Sequence, residues 1–490
     1  MIEYKGVLNL SEFMTRQSKL RTTLITPNDH KSFSVGTVLM VDGWYERLGL
    51  SDIVGRHKSK GIDLDALVRG MLVDQLGDNF SIKQASEWLN REEIRDHYEI
   101  RGFNAKTLYR AVELLGRNRE RIIRELQDNV LELLGRPRTD VLLDWTSIVY
   151  YGDMAKLAKH GYSRDHHPEE RQFTLGAAQL APPYDVPIGL TVEAGNMNDQ
   201  AHMKVTYGQI DRLLAPGSLV VFDRGANDKD NLKRIELDHN YYLTAKKLNV
   251  SDDAVFQTFD PERWERIDAE NGVYALKRVF PSRVNYYFLS EKLKKDHLKS
   301  RRRKAERLLA EAVAIQNSLD NGKKLPKRFR INNPLVDVRY DYQTKLVGMD
   351  EEAALRLLLA DVTDGREGCF CLTSSKDMAP AEALRIYRSK DAIEKLFHSL
   401  KSEVEIKPVR VWTEDAVYGV LLVGFIAQLM ISLTRFFVKP VKRMSTKFII
   451  ASLQNLTETV VSMGNGLKKR FYSNFNEVNK AILADLISET

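Results

Sequence analysis

The chain has 490 residues, a length beyond what one hydrophobic core usually organises, which predicts two to four structural units. An apolar share of 43% beside 29% charged residues excludes a disordered or fibrous chain, and two cysteines, Cys369 and Cys371, are too few for a four-ligand zinc site or a disulfide framework. Lys plus Arg (74) exceeds Asp plus Glu (67), and the pI near 9.0 suits a polyanionic partner.

The start, MIEYKGVLNLSEF, shows no basic segment followed by an apolar stretch, so no signal peptide is expected and a cytoplasmic protein is. Apolar residues at three- and four-residue spacings from Gly61 to Leu134 predict a helical N-terminal domain over 1–136. Within it SIKQASEWLN and NAKTLYRAVELL read as paired short helices, the second carrying Lys106, Thr107 and Arg110 near its start, in the manner of a DNA-reading module.

After GRPR the period changes. TDVLLDW reads as a buried strand ending in Asp144, QFTLGAAQLA and PIGLTVEAG as two further strands, and PGSLVVFDRG as a fourth ending in Asp223. With the helical segments between them and the strand NYYLTA, the order over 137–246 is βββαβαβ. Residues 247–378 read as a mainly β inserted subdomain containing the basic run KLKKDHLKSRRRK, 379–440 as helices that complete the core, and 441–490 as a C-terminal helical segment. The apolar stretch Val417–Leu433 carries Gln428 near its centre, which favours a buried core helix over a membrane span.

Carboxylates at the ends of buried strands are costly unless solvated, paired or bound to a cation. If the first and fourth strands lie side by side, Asp144 and Asp223 emerge at one edge, where oxygen ligands suit Mg²⁺ or Mn²⁺. A third carboxylate is expected from one helix over Ala381–Ser402. At 100° per residue Tyr387, Lys390, Glu394 and Lys401 fall within roughly a 60° arc, separate from the arc of Ile393, Leu396, Phe397 and Leu400.

DWT around Asp144, FDRG around Asp223 and the Tyr387, Lys390, Glu394, Lys401 spacing resemble the DDE transposases of bacterial and archaeal insertion sequences. The helix motif is similar to the Tyr-Arg-Glu-Lys signature of the insertion-sequence-four superfamily, and GYSRDHHPEERQ (161–172) resembles its large-transposase branch. Lys390 stands where that signature has arginine, so a point charge replaces a bidentate phosphate grip.

The resemblance implies an α/β protein with a ribonuclease-H-like core. It also implies a nucleoid-associated enzyme that cuts DNA at element ends and joins them to target DNA, with Asp144, Asp223 and Glu394 as catalytic and metal-binding carboxylates and Mg²⁺ (or Mn²⁺) as cofactor. Tyr387, Lys390 and Lys401 become DNA contacts. The implied partners are double-stranded DNA, at the terminal inverted repeats and in the target, and further copies of the chain on DNA, with no membrane. A nuclease without strand transfer and a catalytically silent DNA-binding derivative are the alternatives.

Overall fold

The computed structural model describes residues 30–57, 60–77, 81–322, 333–337, 343–346, 349–462 and 468–487. The chain opens with β1 (His30–Ser34), α1 (Gly36–Arg47), α2 (Leu50–Gly55), α3 (Leu64–Leu76), α4 (Ile82–Leu89), α5 (Glu92–His97), α6 (Ala105–Arg117) and α7 (Arg119–Leu133). Next come β2 (Val141–Val149), β3 (Gln172–Leu180), β4 (Pro187–Ala194), α8 (Asp199–Ile210), β5 (Leu219–Phe222), α9 (Lys229–Leu237) and β6 (Tyr241–Lys246), the expected βββαβαβ succession. They are followed by α10 (Val250–Gln257), β7 (Glu265–Asp268), β8 (Val273–Phe280), β9 (Arg283–Ser290), α11 (Glu291–Asp320), β10 (Val336–Asp337), β11 (Gln343–Thr344), α12 (Glu351–Val362) and β12 (Cys369–Ser374). The last elements are α13 (Pro380–Arg388), α14 (Asp391–Ser402), α15 (Glu414–Phe437), α16 (Thr446–Gln454), β13 (Thr457–Ser462), β14 (Lys468–Ser473) and α17 (Glu477–Ile487).

The chain divides into two compact units. One gathers the residues up to Arg138, Asp144–Leu213 and everything from Ala392 onward; the other holds Thr139–Leu143 and Leu214–Asp391. These boundaries differ from the sequence-based ones because the N-terminal helices do not fold apart. In the first unit α3 and α6 pack on α15, whose apolar window has a mean hydropathy of 2.2 and is 89% buried. That burial is what the Val417–Leu433 run predicted, and each fully buried Leu, Ile or Phe in it contributes about 1.5–3 kcal/mol.

The approach of α6 to α15 is set by glycines on both helices. A Cβ on Gly116 would lie 1.8 Å from the Asp415 carbonyl oxygen, and one on Gly419 would lie 2.0 Å from that of Val112. Only hydrogen fits at these two positions, so the helices meet backbone to backbone. Elsewhere in this unit β3 and β4 form an antiparallel pair beside the later part of β2, and β1, β13 and β14 form a small antiparallel sheet. The C-terminal segment is therefore not wholly helical.

In the second unit β2 and β5 pair in parallel with Val141 opposite Val220, so the first and fourth core strands are neighbours, the condition on which the aspartate reading was set. The sheet continues in the order β5-β6-β12-β9-β8-β7. β5 is LVVF, buried throughout, the pattern of a parallel strand covered on both faces. The insertion is not mainly β. Its strands β7, β8, β9 and β12 extend this same sheet, while the 30-residue α11 packs Ala305, Leu309, Ala312 and Ile315 against Ala354, Leu358 and Val362 of α12. Cys371 on β12 is buried and Cys369 partly so; both are free, and burial pushes their thiols up, to about 12 and about 11.

Candidate active site

Asp144 is the fourth residue of β2, which runs on to Val149, so it stands mid-strand and not at the strand's end. The sequence TSIV after it continues the β-branched, apolar pattern, and the strand persists because its neighbours fix both faces. On one face the Trp145 indole N–H donates to Thr206 Oγ1 at 3.1 Å, joining a buried network of Thr206, Thr191 and His202 beneath α8. Burial among these groups lowers the His202 pKa to about 3, with Arg164 adding to the effect.

On the other face, which Asp144 shares by strand alternation, Thr146 Oγ1 accepts from Lys401 Nζ at 2.8 Å. Lys401 lies near the end of α14 and also donates to the Ser147 carbonyl at 2.6 Å and pairs with Asp165 at 3.1 Å. All three of its ammonium hydrogens are spent within the protein. Burial lowers its pKa, partly offset by Asp165. Lys401 therefore fastens α14 to β2 and is not an open cation awaiting phosphate.

Asp165 comes from the 161–172 stretch, which closes the site through its own backbone. The Arg164 N–H donates to Ser147 Oγ at 2.9 Å, and its guanidinium holds both Asp199 oxygens at 2.8 and 2.7 Å. Thr146, Ser147, Arg164 and Asp165 were not expected from the sequence as site residues. The signal was present, since this stretch carries part of the family resemblance, but its side-chain roles depend on contacts distant in the chain.

The single helix expected over Ala381–Ser402 is broken into α13 and α14 at Ser389–Lys390. Ser389 Oγ donates back to the Ile386 carbonyl at 2.6 Å, and its N–H is shared between the Arg385 and Ile386 carbonyls at 3.1 Å each. A serine hydroxyl that competes for a helix carbonyl, with N–H bonds shifting from four to three residues back, ends a helix at this point. The four motif residues thus do not share one helix face. Tyr387 and Lys390 go with Asp223 in the second unit; Glu394 and Lys401 go with Asp144 in the first.

Asp223 directly follows β5, at the end of a buried strand as expected, and is exposed. Tyr387 donates to its Oδ1 at 2.8 Å and the buried Lys390 ammonium lies 2.8 Å from the same oxygen. Lys390 was expected on an open face; it is instead 5% exposed and turned onto Asp223. Glu394 is exposed on α14 while Ile393, Leu396 and Leu400 are buried, as predicted for that helix.

Among the described residues no group of three or more His, Cys, Asp or Glu side chains is assembled to hold a metal ion. Carboxylates suit a hard divalent cation chemically, but the cation at the Asp223 oxygen here is Lys390. A cleft of about 550 Å³ in the first unit, lined by Arg119, Gln127, Glu193, Arg212 and Tyr418 among others, contains none of the predicted site residues.

Residues 135–430 match the family described as Transposase DDE domain, and with more than half its length so matched the chain belongs to that family. No curated protein matches it. Among solved structures, one described as a cryo-EM structure of a piggyBac transposase synaptic complex with hairpin DNA is similar at a TM-score of 0.38 and 8% identity, over 86% of this chain and 79% of that one.

Proposed function

We propose that this chain is a transposase that cleaves DNA at the ends of an insertion sequence and joins those ends to target DNA. The observation that carries the reading is the family match over 135–430, which spans all three carboxylates picked out by strand pattern and helix motif. Asp144, Asp223 and Glu394 are proposed as the catalytic carboxylates of a ribonuclease-H-like core, on the insertion-sequence-four pattern. The family implies a divalent cation, Mg²⁺ or Mn²⁺. Asp144 and Glu394 belong to the first unit and Asp223 to the second, and the roles assigned below to this chain's own residues are those of positioning.

In that positioning Lys390 and Tyr387 hold Asp223 while DNA is absent. Either can turn its donor to a phosphate oxygen beside the strand to be cut, a contact that places the backbone without reading bases. Lys401 acts through β2, keeping α14 and its Glu394 fixed to the strand that carries Asp144. The exposed Lys106 and Arg110 at the start of α6 are proposed to read the terminal repeats.

The test uses the purified chain and a duplex carrying the inverted repeats that flank its gene. Cleavage with Mg²⁺ or Mn²⁺, loss of cleavage in chelator, and a joined product with a second duplex are expected. Cleavage that never yields a joined product would instead identify a nuclease, and full cleavage in chelator would remove the cation from the proposal.

A further inference from the structure

The N-terminal half of α11 is built against its own stability. Between Glu291 and Arg307 it carries nine Lys or Arg residues against three Asp or Glu. Helix N-termini bear partial positive charge, so cations there are unfavourable, and like charges three or four residues apart on a helix repel. Lys292, Lys295, Lys299 and Arg303 form three such pairs in succession. No residue before Ala305 is buried; this half meets its unit where His297 Nδ1 accepts from the Gly368 N–H at 3.2 Å and Arg301 lies 3.9 Å from Glu367, contacts in which Lys295, Lys299 and Arg303 take no part. A helix that is polar on every side needs compensating ion pairs or a partner. Among the described residues Arg302 pairs with Glu306, while Lys295, Lys299 and Arg303 face no carboxylate within ion-pair distance.

Helix geometry places these charges. At 100° per residue Lys292, Lys295, Lys299 and Arg303 lie within roughly an 80° arc and span about 16 Å along the axis. Ala305, Leu309, Ala312 and Ile315, which pack on α12, lie on the other side, so the stripe points away from α12. Lys292 also touches the neutral Asn271 side chain at 3.2 Å, which leaves its charge uncompensated.

We propose that this stripe on α11 is a docking surface for the phosphate backbone of duplex DNA, independent of base sequence. A duplex carries one negative charge per about 1.7 Å of its axis, so four cations in line over about 16 Å meet phosphates along one strand and relieve the self-repulsion of the helix. The surface serves to hold the DNA flanking the reacting end or the target, and the inference rests on the DNA-processing reading above.

The test compares three full-length proteins on a labelled duplex of unrelated sequence across a salt series. They are the wild type, a stripe variant with Lys292, Lys295, Lys299 and Arg303 all changed to Gln, and a control with Lys229, Lys233, Lys294 and Lys304 changed to Gln, exposed lysines off the stripe. The stripe variant is expected to lower the slope of log affinity against log salt by about three units, well beyond the control. It should melt no lower than the wild type, since its loss relieves repulsion and breaks no packing. A slope change no larger than the control's overturns the surface while leaving the transposase reading in place. Failure of the wild type to bind any duplex overturns both, and tighter binding to anionic vesicles than to duplex at equal salt overturns the choice of DNA.

Discussion

The surroundings of Asp144 in the first unit and of Asp223 in the second are constructed differently. Around Asp144 everything is fixed: β2 is pinned on one face through Trp145 and Thr206, on the other through Thr146 and Lys401, and the 161–172 stretch adds Asp165 and Arg164. Around Asp223 the carboxylate is exposed at the end of a short strand, and its partners Tyr387 and Lys390 sit where one helix has broken off. Two lysines of one sequence motif thus do different work. Lys401 has no hydrogen left to give, whereas Lys390 spends its charge on an exposed acceptor that a phosphate can replace.

The sharpest test of this contrast is catalytic. Asp223→Asn and Glu394→Gln are expected to lower cleavage of the element's end by about 10³-fold or more while leaving DNA binding intact. Cleavage near wild-type level in either variant would remove that carboxylate from the mechanism. A smaller effect should separate the lysines. Lys401→Met leaves Asp165 facing only Lys407 and strands the Thr146 and Ser147 acceptors, so the fold should lose about 2–3 kcal/mol in denaturant unfolding. An unchanged unfolding midpoint with weakened DNA binding would show that Lys401 grips DNA after all.

Next in size is a pH effect confined to the fixed half. Because the folded His202 titrates near 3 and an unfolded histidine near 6.5, the unfolded chain holds the extra proton between these values. Stability from this group is therefore complete above about pH 6.5 and falls as pH drops toward 3, by up to about 1.4 kcal/mol per unit. Unfolding compared at pH 7 and pH 5 should show a loss of about 2 kcal/mol that His202→Asn abolishes. The smallest effect belongs to the open half. Lys390→Ala removes an ion pair with an exposed partner and should change stability by less than about 1 kcal/mol, while lowering the salt slope of end binding by about one unit.

Much of this was legible in the sequence, for identifiable reasons. The core strand order showed because the hydrophobic period changes after GRPR; that the first and fourth strands are neighbours was a condition of the aspartate reading, and the pairing of β2 with β5 meets it. The inward face of α14 showed because Ile393, Leu396 and Leu400 keep helical spacing. The break at Ser389 did not show, since its cause is one hydroxyl bonding its own backbone while the spacing on either side stays helical. The burial of Lys390 and Lys401 was equally hidden: a helical wheel gives direction but not what waits there, and Asp165 is 236 residues away in the chain from Lys401. The insertion was misread as mainly β because the first half of α11 is polar on every side and gives no apolar periodicity to mark a 30-residue helix.

The glycine contact between α6 and α15 bears on any attempt to retarget this enzyme by exchange of parts. α6 carries the proposed end-reading residues Lys106 and Arg110, and it meets α15 where Gly116 and Gly419 leave no room for even a methyl group. The N-terminal helices are therefore not a cassette that can be swapped for those of a relative. A chimera that imports a foreign recognition helix must bring the matching stretch of α15 with it, some 300 residues downstream, or supply glycine at both crossing points. Specificity and scaffold have to be inherited together.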